Sequence, residues 1–432
     1  MATRLLNKKN IKNYPIYKMF TEDLLFYYAI IYLFFTSDKG LTASMVFVID
    51  AISQASKLAL ELPCVCFLDF LGNRKSLIIA NTLSAFSILL LIISPSFTWI
   101  IVSTILFAFS FDIKQLCETT ILFSSFPDNK KRNNLFSKYD SKGYSFYFIL
   151  DAISTLFTGF LFVINHYLPL ILCFIVRCIT VILACRFEDT EEKAYSLSGH
   201  IKHKNTRESL NKYFKELNHI FKFIIQSKRL KCLLTYAGIY AGMLTVFITL
   251  RSVVLTDLQV KDEYFGVFFA GIQIVSAISA KFVNFYQNKL KNKTLTVFAF
   301  ANSFPLILFG LCLFFNWSST VNFVFLGIWL FFYAATKAPF YTLIKRYLHS
   351  FVSTEVNTKI YAFLIMFECA FGAIFSLAVA LLLDHISVAT SLIVIGAVLS
   401  VLFLLLLDYM KNYVGLKPEE YKKSEITYTK LN

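Results

Sequence analysis

The chain has 432 residues, of which 57% are hydrophobic and only 16% charged, against about 25% charged in an ordinary soluble domain. Forty-eight phenylalanines and a mean hydropathy of +0.63 exclude a soluble globule, which has no interior large enough to hide them. The formal net charge of +15 does not mark a nucleic-acid binder, because the bases are confined to alternate connecting segments, as the positive-inside pattern requires.

Residues 1–13 form a basic lead with Arg4, Lys8, Lys9 and Lys12. It runs straight into an apolar stretch, so no cleavable leader is expected. Apolar runs of spanning length follow over 14–36, 41–68, 76–94, 98–124, 143–164 and 167–185. The connection 126–142 is basic, with Lys130, Lys131, Arg132, Lys138 and Lys142. The longest polar segment, 186–229, opens with Glu188, Asp189, Glu191 and Glu192. Further on, Leu210, Phe214, Leu217, Phe221 and Ile224 fall at helical spacing, with Lys212, Lys215 and Lys222 off the stripe. This is the pattern of an amphipathic helix on the membrane surface, or of a solvated helix packed on the bundle.

Six more runs cover 230–251, 263–285, 294–315, 321–344, 357–383 and 386–410, and a basic tail closes the chain. Counted by side, the Lys and Arg clusters fall on one face; the other holds only Lys39, Lys261 and Arg251. Twelve spans with both termini cytoplasmic satisfy this at every loop, whereas eleven or thirteen break the alternation. Eight of the nine cysteines lie within apolar runs and Cys232 opens one, the usage of buried free thiols rather than of a disulfide framework.

Residues 61–75 read ELPCVCFLDFLGNRK between the second and third runs. Gly72 permits a sharp reversal, Arg74 and Lys75 sit where cytoplasmic positive charge is expected, and Asp69 can pair with a base or a helix N-terminus. The order Glu61, Pro63, Asp69, Gly72, Arg74, Lys75 resembles the loop between helices two and three of the major facilitator superfamily, in the form carried by bacterial drug-efflux-like permeases. Val65 stands where the family usually has its first Gly, and Asn73 where it often has Arg. Phe187-Glu188 after the sixth run and Pro339 in the tenth are similar to positions in the same branch. The second half has no Asp-x-x-Gly-Arg loop, and the fifth run lacks the Gly-Pro pair of the proton-antiporter signature.

The resemblance implies an all-α polytopic membrane protein: twelve transmembrane helices in two six-helix bundles. Residues 1–187 would form the first bundle, 188–229 a cytoplasmic linker, 230–410 the second bundle and 411–432 a cytoplasmic tail. It implies a monomeric secondary transporter in the cytoplasmic membrane that moves a small molecule by alternating access, proton-coupled, with efflux of an amphiphile as the branch's habit. The 61–75 loop would act as a conformational gate.

A charge inside the bilayer costs about 2.5–3.5 kcal/mol on insertion scales and so marks a site or a partner. The acids within runs are Glu22, Asp23, Asp50, Glu61, Asp112, Glu118, Asp151 and Glu368; the bases are Lys57, Lys114, Arg177, Lys281 and Lys337. Lys57 with Glu61 and Lys114 with Glu118 have helical i,i+4 spacing and are expected to pair. Lys337 and Glu368 are expected to pair between helices, and Arg177 to snorkel or to meet Asp151. By the resemblance, runs one, four, seven and ten line a central cavity, which makes Glu22, Asp23, Asp112, Lys114 and Lys337 cavity candidates. Asp23 or Asp112 would carry the coupled proton.

Two other classes compete. A membrane-embedded enzyme needs clustered His, Asp or Glu at one face, but the six histidines are scattered and His200-x-x-His203 reads as solvated loop. There is no Gly-Lys-Ser/Thr phosphate loop. No enzyme activity, cofactor, metal or nucleic acid is therefore expected. A lipid flippase or a non-transporting sensor on the same scaffold remains the alternative.

Overall fold

In a computed structural model the described residues are 7–127, 132–189, 215, 218–290, 293–351, 354–411 and 413–414. They form helices joined by short turns, with no strand among them. The elements are α1 (Lys8–Thr21), α2 (Ile31–Leu33, continued by a π-helical turn, Phe34–Asp38), α3 (Ala43–Leu71), α4 (Asn73–Ile93), α5 (Phe97–Ser124), α6 (Arg132–Ile164) and α7 (Leu168–Cys185). Then come α8 (218–226), α9 (Lys228–Asp257), a 3₁₀ turn (Asp262–Tyr264), α10 (Phe265–Ala280) and α11 (Val283–Leu290). The series closes with α12 (Thr294–Phe314), α13 (Ser319–Phe351), α14 (Thr354–His385) and α15 (Val388–Met410).

Among the described residues eleven helices are long and apolar enough to cross a membrane. The element missing from that set is the run expected over 14–36, which is not one helix. α1 stops at Thr21 and regular structure resumes at Ile31; between them Phe26 adopts φ 61°, unusual for a bulky residue. The run expected over 263–285 is also divided. Lys281 and Phe282 form a turn between α10 and α11, which puts the Lys281 ammonium at a helix end and not inside the apolar span. The basic connection expected over 126–142 is shorter than its composition suggests. α6 starts at Arg132, so Lys138 and Lys142 ride on a helical extension of the span. In α8, Ile220, Phe223 and Ile224 are buried and Phe221 is exposed, so its covered face is rotated from the expected stripe; Leu210, Phe214 and Leu217 lie outside the described residues.

The chain divides into two compact units: Met1–Leu41, Ile52–Tyr213 and Lys261–Ala270 in one, Thr42–Ala51, Phe214–Val260 and Gly271–Asn432 in the other. Each is built on one plan. In the first unit, Asn81 of α4 donates to the Tyr17 hydroxyl of α1 at 2.9 Å and to the Leu77 carbonyl at 2.8 Å. In the second unit, Asn302 of α12 donates to the Tyr240 hydroxyl of α9 at 2.8 Å and to the Phe298 carbonyl at 3.0 Å. A buried amide tied to a tyrosine across a helix pair is the kind of polar contact that fixes register where every other surface is apolar. The faces turned outward carry Phe148, Ile149, Ile164, Leu404 and Leu405, side chains suited to lipid contact.

The α1 N-terminus is held to the chain that follows α7. Lys9 and Asn7 each hydrogen-bond the Glu188 carboxylate at 3.1 Å, and those bonds hold its carboxyl below the ordinary 4.5. A depressed folded value means that the contact is complete above the unfolded value and is lost as pH falls through the folded one. Acidification below the ordinary 4.5 is therefore expected to loosen residues 7–13, read as faster amide exchange there. Glu188→Gln should remove that pH dependence.

Candidate functional site

The break after α1 creates the site. A helix that ends inside a bundle leaves its last carbonyls without intrahelical donors, and hydrocarbon offers them no water. Two buried cations from other helices fill the need. Lys114 of α5 donates to the Thr21 carbonyl and, at 3.0 Å, to that of Glu22. Arg177 of α7 donates to the Asp23 carbonyl at 2.5 Å. Cations at this end also oppose the negative pole of the α1 dipole.

One turn back on α1, Lys18 forms ion pairs with both Glu22 and Glu118 of α5. Side-chain exposure is 3% for Lys18, 1% for Glu118 and 19% for Glu22. The Tyr144 ring of α6 lies 4.6 Å from the ammonium. Glu118 Oε2 is buried without a hydrogen-bond partner. Asp23 Oδ1 accepts from the Leu24 amide at 2.9 Å and from the Tyr28 hydroxyl at 2.7 Å, so it braces the break. In ionised form Lys18, Lys114 and Arg177 face Glu22, Asp23 and Glu118, three charges of each sign, on three helices and the broken segment of the first unit.

Several expected pairings are replaced. Among the described residues Glu118 pairs with Lys18 and not with Lys114, since Lys114 is drawn to bare carbonyls. Among the described residues Lys57 makes no ion pair with Glu61; its ammonium stands 4.8 Å from the Phe111 ring. Arg177 does not snorkel: it is 2% exposed and donates to the carbonyl of Asp23 at the break. Lys337 and Glu368 form no ion pair among the described residues, and Lys337 lies 5.8 Å from the Tyr333 ring. Asp112 is half-buried on α5 with Oδ2 lacking a hydrogen-bond partner, and the charges that act on it are Lys57 and Glu61 of α3 rather than the cluster at the break. Of the expected candidates, Glu22, Asp23, Lys114 and Glu118 thus come together.

Lys18 is the member that sequence reasoning missed. Its helical spacing to Glu22 was the available signal, overlooked because the residue sits near the start of its run. α6 fits tightly over it: a Cβ on Gly143 would lie 2.7 Å from Lys18 Cβ. Gly143→Ala is expected to lower stability by about 1–3 kcal/mol through overpacking, read as a drop in thermal midpoint. Gly271→Ala, with nothing within 4 Å of the added carbon, should not.

The turn carrying the expected gate has Gly72 at φ 80° between α3 and α4, a conformation open to glycine at little cost. Arg74 donates to the Cys185 carbonyl at 3.3 Å and approaches Asp189 at 3.8 Å, both in the first unit. The side chain of Asp69 lies outside the described residues. Glu61 and Pro63 are on α3, with Pro63 inside the helix.

The fold and its buried charges define a polytopic helical membrane protein with ionisable groups in its interior. The family model described as Major Facilitator Superfamily matches residues 19–354, and the chain belongs to that superfamily of secondary transporters. No curated sequence matches it. Among solved structures it is similar to the nucleoside transporter NupG, at 10% identity and a TM-score of 0.71 over 93% of this chain and 99% of that one. A D-xylose-proton symporter matches at 10% identity, TM-score 0.65, over 95% and 97%. A peptide transporter POT in complex with sulfate matches at 11% identity, TM-score 0.65, over 95% and 94%. At these identities the likeness is one of fold.

Proposed function

We propose that this chain is a proton-coupled secondary transporter that moves a small molecule across the cytoplasmic membrane by alternating access. In this reading the broken segment 14–38 supplies the twelfth crossing, and both termini are cytoplasmic. The observation that carries it is the buried Lys18–Glu118 pair with an orphaned carboxylate oxygen beside a helix break. Ionisable groups buried at membrane depth are expensive and are kept for use, and discontinuous helices are where transporters place ion sites.

Glu118 is the proton carrier in this scheme. With three charges of each sign the cluster is balanced. Protonation of Glu118 leaves it at net +1, with Lys18, Lys114 and Arg177 repelling one another over a short distance. The repulsion is relieved if Lys18 moves, and Lys18 is on the helix that ends at the break. A proton can thus bias a two-state element. Asp112, with its unpartnered oxygen, is the reserve carrier; Asp23 is committed to bracing.

The test is transport in proteoliposomes with an imposed pH gradient, screening nucleosides, sugars, peptides and amphiphilic cations. Wild type should move at least one class only with the gradient present. Gradient-driven transport fully retained in Glu118→Gln and in Asp112→Asn would overturn the coupling scheme.

A further inference from the structure

A second site lies at the end of the first unit that carries the start of α1. A cavity of about 540 Å³ opens between α1, the end of α5 and α6. Its rim is cationic: Lys8 and Lys12 of α1, and Lys142 of α6. Its floor is apolar, including Ile11, Phe126 and Phe146, and among the described residues no acid lines it. The nearby acids among the described residues are occupied. Glu188 is taken by Lys9 and Asn7, and Asp140 accepts from Tyr14 at 2.8 Å. Among the described residues none of the three rim lysines makes an ion pair; Lys142 stands 5.5 Å from the Phe146 ring.

The geometry points to an anionic phospholipid as the occupant. Lys8 and Lys12 are one turn apart on the same face of α1. Ile16, exposed and also lining the cavity, is about 12 Å from Lys8 along the axis at 1.5 Å per residue. The site therefore grades from ammonium groups to bare hydrocarbon over the distance separating a lipid phosphate from its upper acyl carbons. A basic pocket between helices at the membrane face has the chemistry to hold an acidic headgroup, and a soluble anion would leave the apolar floor unused. The inference rests on membrane insertion, which family membership establishes, and not on the proton scheme.

The full-length protein in nanodiscs of equal phosphatidylglycerol and phosphatidylcholine tests it, with lipid retained through detergent extraction counted by mass spectrometry. Wild type should retain phosphatidylglycerol preferentially. Lys12→Gln should lower the preference about five-fold, taking roughly 1 kcal/mol per lysine near a charged headgroup, and Lys8→Gln/Lys12→Gln/Lys142→Gln should abolish it. All three lysines are exposed, so the variants should fold, with a thermal midpoint as the check. The comparison variant Lys281→Gln/Lys289→Gln/Lys345→Gln should keep the preference. Unchanged retention in the rim variant, or equal loss in the comparison variant, would overturn the site. So would inorganic phosphate raising the thermal midpoint as much as phosphatidylglycerol does, since that would mark a free-anion site.

Discussion

Replacing Glu118 by Ala is expected to destabilise the first unit by about 3 kcal/mol, the lower end of the range for removing one partner of a buried ion pair. The lower end applies because Lys18 keeps Glu22. Glu22 is the more exposed acid, so it compensates only partly. Glu118→Gln should be milder, since the amide still offers Lys18 an oxygen and fills the same volume. Its charge balance is that of the protonated state, and its functional effect should be the larger of the two: gradient-driven transport lost, substrate exchange across the membrane retained. Lys18→Met/Glu118→Leu separates fold from function. Removing both charges together should recover most of the thermal midpoint lost in Glu118→Ala, because paired apolar replacements in a core are often neutral, while coupling stays absent. The interaction energy from the four-variant cycle should exceed 0.5 kcal/mol, as expected for groups in direct contact. An additive cycle would mean that the pair does not act as a unit.

Most spans were legible because an apolar run bounded by charge has one solution in lipid. The basic clusters then marked where the runs stop. The break at 22–30 was not legible. Residues 24–35 are as apolar and aromatic as any helical run here, and nothing local in Leu24–Ile30 forbids a helix. It ends because carbonyls that would otherwise be bare find Lys114 and Arg177, which lie 92 and 154 residues further along the chain. The same long-range competition defeated the i,i+4 reading of Lys114 with Glu118. That spacing reports a shared helix face, but it cannot weigh a neighbour on the same helix against one supplied by another. Lys18 was visible at the right distance from Glu22, and only the fold shows that Glu118 is the second acid it serves. The gate motif was legible as a turn, since Gly72 does adopt positive φ.

Lys114→Met should expose what holds the break. The substitution keeps an unbranched chain of similar length, which packs readily, but takes the ammonium from the carbonyls of Thr21 and Glu22. Each buried acceptor left bare costs about 1–3 kcal/mol, so a loss of roughly 2–6 kcal/mol is expected for the two, smaller if water follows the vacated charge. Cluster balance also shifts to net −1, which should strengthen Lys18's hold on its two acids. The variant should therefore fail at the break and not at the ion pair. Amides of residues 22–30 should exchange much faster with solvent, while those of α5 around Glu118 stay protected. Lys114→Arg, retaining charge and adding donors, should recover protection at 22–30 in part, limited by the space a planar fork needs. Unchanged exchange across 22–30 in Lys114→Met would mean that the segment is held by Arg177 and the Asp23–Tyr28 bond alone. Arg177→Met would then be the change that releases it.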